Sequence, residues 1–240
     1  MSIGKTIQNW FENQNVECHY FESIESSNQV AKDHASTQSL AGPCFFVADF
    51  QTQGRGRGQN TWESNPNQSL LGSWLIPLSK APQHLTAPLL GLATYDSAKK
   101  VWPALAWSIK APNDIYLKDK KIAGLLVETV SQADKQALVF GLGFNLFGHP
   151  TDIENSTHLN SELGLDGQLR PDGFLPFLAE LNKQILLRLQ SFYSNKLSAK
   201  VCEDLKQALN NNPNLEEDVV KVDEEGNIHF KNKQVNWTEL

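Results

Sequence analysis

The segment that most constrains the fold is residues 137–146. Its even positions are Leu138, Phe140, Leu142, Phe144 and Leu146, and its odd positions are Ala137, Val139, Gly141, Gly143 and Asn145. Side chains of a strand alternate between faces, so one face here is large, apolar and destined for a core. The opposite face thins to bare backbone and ends in an amide. Glycine weakens a strand interior, so this pair signals close approach by something else. A ligand and a neighbouring chain segment are equally good occupants.

The rest of the chain reads as a mixture of elements. Helical patterns cover residues 5–14, 28–35 and 86–101, the last with Pro88 in its first turn. Ser26, Ser27 and Asn28 stand where a helix cap belongs. Strand patterns cover 16–21, 44–50, 69–76, 107–110, 114–117 and 122–130, with Lys118-Asp119-Lys120-Lys121 at a hairpin turn. Residues 147–171 are polar and loop-like. Asp172 is expected to cap a helix on which Phe174, Leu178, Leu181, Ile185, Leu189 and Phe192 share a face. A further helix is expected at 197–209, followed by a weakly alternating tail around the Asp223–Asn227 turn. This order predicts an α+β domain: a largely antiparallel or mixed sheet flanked by helices, with a short C-terminal β appendage. Residues 1–212 would be the main domain. Residues 213–240 are too few for a core of their own, which takes roughly 40 residues or more.

Composition narrows the partners. The formal net charge of −6 argues against a general nucleic-acid binder. Cys18, Cys44 and Cys202 are far apart and form no C-x-x-C pair, which argues against a disulfide framework and a cysteine zinc site. The six histidines show no ligand spacing and read as surface or packing residues. The first residues contain no apolar signal region, and no stretch reaches the ~18 apolar residues of a membrane span, so a cytoplasmic location without membrane contact is expected.

Chemistry concentrates in three clusters. The first is Gln51-x-x-Gly54-Arg55-Gly56-Arg57, followed by Trp62-Glu63-Ser64 and Ser69-Leu70-Leu71-x-Ser73. Its glycines let backbone N–H groups converge on an anion, and its arginines donate charge-assisted hydrogen bonds to phosphate or carboxylate. A flexible surface loop with solvated arginines would look the same in isolation. The second is Lys110-Ala111-Pro112-Asn113-Asp114, then Lys121-Ile122-Ala123-Gly124 through Glu128. Pro-Asn-Asp is also an ordinary turn. The third is Gly141-x-Gly143-x-Asn145.

In this order, with Ser26-Ser27-Asn28 ahead of them, the clusters resemble the catalytic domain of biotin protein ligases over about residues 20–190. The resemblance implies a class II synthetase-like fold. It also implies an enzyme that joins biotin to the α-phosphate of ATP and passes it to a lysine of a biotin carboxyl-carrier protein. Lys121 would stabilise charge developing between carboxylate and α-phosphate, with Arg55, Arg57 and Asp114 completing the catalytic set. Ser26, Ser27, Asn28, Gln51, Gly54, Arg55, Gly56, Arg57, Lys121, Gly124, Gly141 and Gly143 would bind biotin. Arg55, Arg57, Trp62, Lys110, Asn113 and Asn145 would bind ATP, although a lone aromatic such as Trp62 is more often core. Mg²⁺ would accompany ATP, and its ligands are not readable because magnesium needs only one or two protein oxygens.

The chain departs from the family pattern at four points. Ala111 stands where the family has tryptophan, and Gly58-Gln59-Asn60-Thr61 lacks a second basic stretch. The pattern begins within the first ~25 residues, so neither the family's N-terminal DNA-binding domain nor a repressor role is expected. Residues 213–240 correspond to a truncated SH3-like domain. Two alternatives stand beside the ligase: a biotin-binding protein with impaired catalysis, and a lipoate or other acyl ligase of the same fold. Many family members dimerise by sheet extension, so a homodimer is compatible with the resemblance.

Overall fold

The computed structural model describes residues 2–132, 135–151, 153–164 and 169–239. The chain divides into two compact units, residues 1–82 with 122–175 and residues 83–121 with 176–240.

The first unit begins with α1 (Ile3–Asn13). Ser2 Oγ accepts the Lys5 N–H as N-cap, and Ile3, Ile7 and Phe11, four apart, form the buried stripe. β1 (Glu17–Phe21), α2 (Ser27–Thr37), β2 (Cys44–Ala48) and β3 (Ser69–Leu78) follow. β6 (Lys120–Gln132) and β7 (Lys135–Asn145) complete the sheet. Within this unit the strands run in the order β1-β2-β3-β7-β6. The β1–β2 pair is parallel and the other pairs are antiparallel, so the sheet is mixed as expected.

Both faces of this sheet are covered. On one, Phe11 stacks on Phe45 at 4.5 Å, Phe45 meets Trp74 at 4.6 Å, and Trp74 stacks on Phe140 at 5.2 Å. Such offset and edge contacts add to the area these rings bury. On the other, Ala31 and Ala35 of α2 pack on Cys44, Phe46, Leu75, Ala137 and Val139. The small alanines let the helix lie close to the strands. Buried Asp49 ties α1 to the end of β2, accepting hydrogen bonds from Gly4 N–H (2.8 Å), Ser2 Oγ (2.9 Å) and Tyr20 Oη (2.7 Å).

The second unit contains α3 (Thr86–Val101) and the hairpin of β4 (Trp107–Lys110) and β5 (Asp114–Leu117). It also holds most of α5 (Leu175–Arg188), a 3₁₀ turn (Leu189–Tyr193) and α6 (Ala199–Asn210). Arg188 pairs with Asp96 at 2.8 Å, and Trp102 stacks on Phe177 at 5.7 Å. Lys118, with φ 56°, turns the chain between β5 and β6. The tail forms a three-stranded antiparallel sheet of β8 (Lys221–Val222), β9 (Asn227–His229) and β10 (Gln234–Asn236), in the order β10-β9-β8.

Three local expectations are corrected. Asp172 does not cap α5. The helix starts at Leu175, whose N–H bonds Asp172 O, and the Asp172 carboxylate pairs with Arg170. The continuous apolar stripe to Phe192 is broken into α5 and a 3₁₀ turn. Residues 147–171 hold a single helical turn, α4 (Leu159–Glu162), and the expectation for 152 and 165–168 lies outside the described residues.

Candidate functional site

Each unit carries its own set of the residues singled out by sequence. In the first, the N-terminus of α2 meets the thinned face of β7. Ser26 is the N-cap residue of α2 but makes no side-chain cap bond. Ser73 Oγ lies 2.8 Å from Ser27 Oγ and donates to Asn28 Oδ1 at 2.5 Å. Gln51 Oε1 accepts the Ser27 N–H at 2.6 Å. Asn28 Nδ2 donates to Leu126 O and to Glu128 Oε2. These buried polar groups thus satisfy one another in a network that fixes the orientation of each amide.

The glycines explain the alternation of β7. A Cβ on Gly141 would collide with the Asn28 amide, and one on Gly143 with the Trp62 indole. The occupants of the thinned face are therefore the chain's own side chains, the second of the two readings the strand allowed. Gly124 is the cross-strand partner of Gly143, which widens the low strip by one strand. Asn145, expected at ATP, is buried; its Oδ1 accepts from Ser69 Oγ and its Nδ2 donates to Thr157 O, so it secures the end of β7.

The Gly-Arg segment forms a small loop. Trp62 N–H donates to Gly54 O and Gly56 N–H to Asn60 O, with an isolated bridge between Arg55 and Thr61. Beneath it lies an open cleft of about 650 Å³, lined by Ser26, Gln29, Gly54, Arg55, Gly56 and Thr61 among others. Arg55 reaches Glu128 at 3.1 Å, and Lys32 reaches the same carboxylate at 2.9 Å. Burial raises the Glu128 pKa, but the bonds from Lys32 and Asn28 and the charges of Lys32 and Arg55 outweigh it, so the group lies below its ordinary value. Arg57 is exposed and does not line the cleft. Glu128 and Lys32 received no role from sequence. The strand alternation of 122–130 could have placed Glu128 on the α2 side, but no local motif names its partners.

In the second unit, Lys121 Nζ pairs with Asp114 Oδ1 at 2.8 Å. Lys110 is the cross-strand partner of Asp114, and its Nζ stands 5.6 Å from the Tyr116 ring centroid. Asn113 is half-buried and Ala111 is buried. Lys110 lines a cleft of about 450 Å³ with Asn212, Glu216, Glu217, Phe230 and Lys233. The tail holds this hairpin: Trp237 Nε1 donates to Pro112 O at 2.8 Å, and Asn214 Nδ2 to Asp119 O at 2.7 Å. Both bracing residues escaped the sequence reading, because they are single polar contacts more than 90 residues from their partners.

A mixed sheet flanked by helices, with a glycine- and arginine-bearing loop beside an open cleft, defines an α+β protein. A model of the biotin/lipoate A/B protein ligase family matches residues 20–145, and the chain belongs to that family. It is 30% identical over 140 residues to the bifunctional ligase/repressor BirA of Bacillus subtilis, covering 56% of this chain and 42% of the relative. It is 30% identical over 151 residues to the biotin–[acetyl-CoA-carboxylase] ligase of Paracoccus denitrificans, covering 58% and 61%. The matched regions thus span about two fifths to three fifths of these relatives. Among solved structures, the fold is similar to a biotin protein ligase from Aquifex aeolicus in complex with biotin and ATP. The TM-score there is 0.68 at 20% identity, covering 91% of this chain and 95% of that one. The ligase from Leishmania major in complex with biotinyl-5-AMP gives a TM-score of 0.64 at 23% identity, covering 88% and 93%.

Proposed function

We propose that this chain is a biotin protein ligase, which activates biotin with ATP and transfers it to a lysine of a biotin carboxyl-carrier protein. The observation that carries this reading is the Arg55 loop over an open cleft of about 650 Å³, inside the region matched by the family. That volume suits a small molecule. The relatives' names and the complexes with biotin, ATP and biotinyl-5-AMP supply the ligand class.

In the first step a biotin carboxylate oxygen attacks the α-phosphorus of ATP and pyrophosphate leaves. Two anions must approach, so fixed cations lower the barrier. Arg55 and Arg57 serve the anions from the glycine loop. Lys121, oriented by Asp114, stabilises charge on the reacting oxygens, and Lys110 serves the phosphates. Ser26, Ser27, Asn28 and Gln51 supply polar contacts to biotin, with Gly141 and Gly143 giving Asn28 and Trp62 room to sit against β7 and Gly124 widening the strip beside them. Trp62 and Asn113 border the nucleotide, while Asn145, bonded to Ser69 and Thr157, supports the strand end. In the second step the carrier's lysine amine attacks the biotinyl carbonyl and AMP leaves. Mg²⁺ would travel with the phosphates; Asn113 and the half-buried Asp114 offer the hard oxygen donors it favours. Residues 1–212 act as the catalytic domain and residues 213–240 as an SH3-like β segment. The reaction is cytoplasmic in this reading; among the described residues no helix is long and apolar enough to cross a membrane.

The test is ATP–pyrophosphate exchange with biotin, lipoate or octanoate as the acid, each with Mg²⁺. Exchange dependent on biotin is expected. Exchange with lipoate or octanoate alone would replace the substrate. Absence of exchange with every acid would overturn the enzyme reading in favour of a binding protein.

A further inference from the structure

On the α2 side of the first unit's sheet, three side chains from three elements converge. One ligand atom each from His19, His34 and Cys44 lies within 4.8 Å of the others. The geometry follows from register. In the parallel β1–β2 pair, Glu17 is opposite Cys44 and His19 opposite Phe46, so period two puts Glu17, His19, Cys44 and Phe46 on one face. That is the face on which Ala31 and Ala35 of α2 pack, with His34 between them in sequence. Phe46 forms the wall: His19 stacks on it at 4.7 Å and His34 meets its edge at 5.3 Å. Cys18 belongs to the opposite face, toward α1, and takes no part.

We propose that His19, His34 and Cys44 form a binding site for a zinc-type divalent cation, with Glu17 as the partner that orients His19. Two imidazoles and a thiolate are a borderline-soft donor set of the kind Zn²⁺ prefers. With bonds of about 2.0–2.3 Å, tetrahedral ligand atoms stand about 3.5 Å apart. The present spacing of up to 4.8 Å must therefore shorten by about 1 Å on binding, a movement on the scale of a side-chain adjustment. Glu17 Oε1 lies 2.8 Å from His19 Nε2. A carboxylate there holds the proton on Nε2 and leaves the Nδ1 lone pair for the metal, the usual carboxylate–histidine–metal relay. Cys44 is fully buried, whereas both histidines are half-buried, so the cation enters from the histidine side. Binding forms the Cys44 Sγ–metal bond and releases the thiol proton to water. Burial, with Glu17's charge, pushes that thiol up to about 12, and the cation supplies the positive charge its thiolate needs. The charges of Glu17 and Cys44 then balance the metal. The site shares no residue with the proposed ligase machinery. It would clip edge strand β1 to β2 and to α2, whose first turn carries Ser27 and Asn28.

The test is titration of the chelator-treated full chain with Co²⁺, read by its thiolate-to-cobalt charge-transfer absorption, then displacement with Zn²⁺. One equivalent with a thiolate band, displaced by Zn²⁺ and accompanied by a rise in melting temperature, is expected. His19→Gln and His34→Gln should each weaken Co²⁺ binding by about 100-fold or more, and Glu17→Gln by about 10-fold. The metal-free His variants should melt with metal-free wild type. His149→Gln is the control, because His149 Nδ1 and His158 Nδ1 form a separate pair at 2.9 Å. Absence of a thiolate band at saturating Co²⁺ would overturn the proposal, as would a band that survives both His variants or vanishes in His149→Gln.

Discussion

Lys121, proposed for chemistry, and Glu128, a supporting carboxylate, can be tested one residue at a time. Lys121 is a partly exposed side chain paired with Asp114 across a hairpin, an arrangement worth at most about 1 kcal/mol to stability. Lys121→Ala is expected to abolish biotin-dependent pyrophosphate exchange while leaving the melting temperature nearly unchanged. A large fall in melting temperature with normal exchange would contradict its role. Glu128 is the opposite case, a carboxylate that gathers Lys32, Arg55 and Asn28. Its pKa is depressed on folding, so its contribution is present above its ordinary value of 4.5 and is lost as pH falls through the lower folded value. The stability gap between wild type and Glu128→Gln should therefore be full at neutral pH and close progressively as pH falls below 4.5, measured by thermal melts across pH.

At the scale of elements, β7 is where sequence and structure agree most closely. Its four large even positions, and Leu146 just beyond its end, are all buried, and its glycines sit under Asn28 and Trp62. Phe140→Ala should cost about 3–5 kcal/mol in denaturant unfolding, because the Phe45–Trp74–Phe140 contacts cannot close over the hole. The residue ranges of α3, β4 and β5 were legible from pattern and proline placement alone. The start of α5 was not, because the Asp172 side chain turns to Arg170. The tail offers a sharper test of element-level support. Trp237→Phe keeps the buried ring and removes one hydrogen bond to Pro112, a loss of about 1 kcal/mol. If the tail braces the Lys110–Asp114 hairpin for ATP, the KM for ATP should rise in this variant while the KM for biotin stays constant.

For the molecule as a whole, the proposed ligands should stabilise the native state by mass action. Biotin at about 100 times its Kd is expected to add about 2.7 kcal/mol, read as a rise in melting temperature. ATP with Mg²⁺ should add a further rise in wild type and much less in Lys121→Ala, since only wild type forms the adenylate. Equal shifts in both proteins would separate nucleotide binding from adenylate formation and remove Lys121 from the chemistry.

The sequence by itself determined the α+β class, the family and the order of its motifs. Those signals are local: a strand period of two, a glycine-rich run between arginines, and a lysine where a hairpin returns to the sheet. Tertiary structure decided which side chains meet. Asn28 covers Gly141 across more than 110 residues, Glu128 collects cations from α2 and from the glycine loop, and Trp237 holds Pro112. His19, His34 and Cys44, which lacked any metal-ligand spacing along the chain, converge because a parallel strand pair and a helix bring three separate elements to one face. Spacing along a chain reports only neighbours within one element, whereas contacts between elements are set by register and by how closely small residues such as Ala31 and Ala35 allow a helix to approach a sheet.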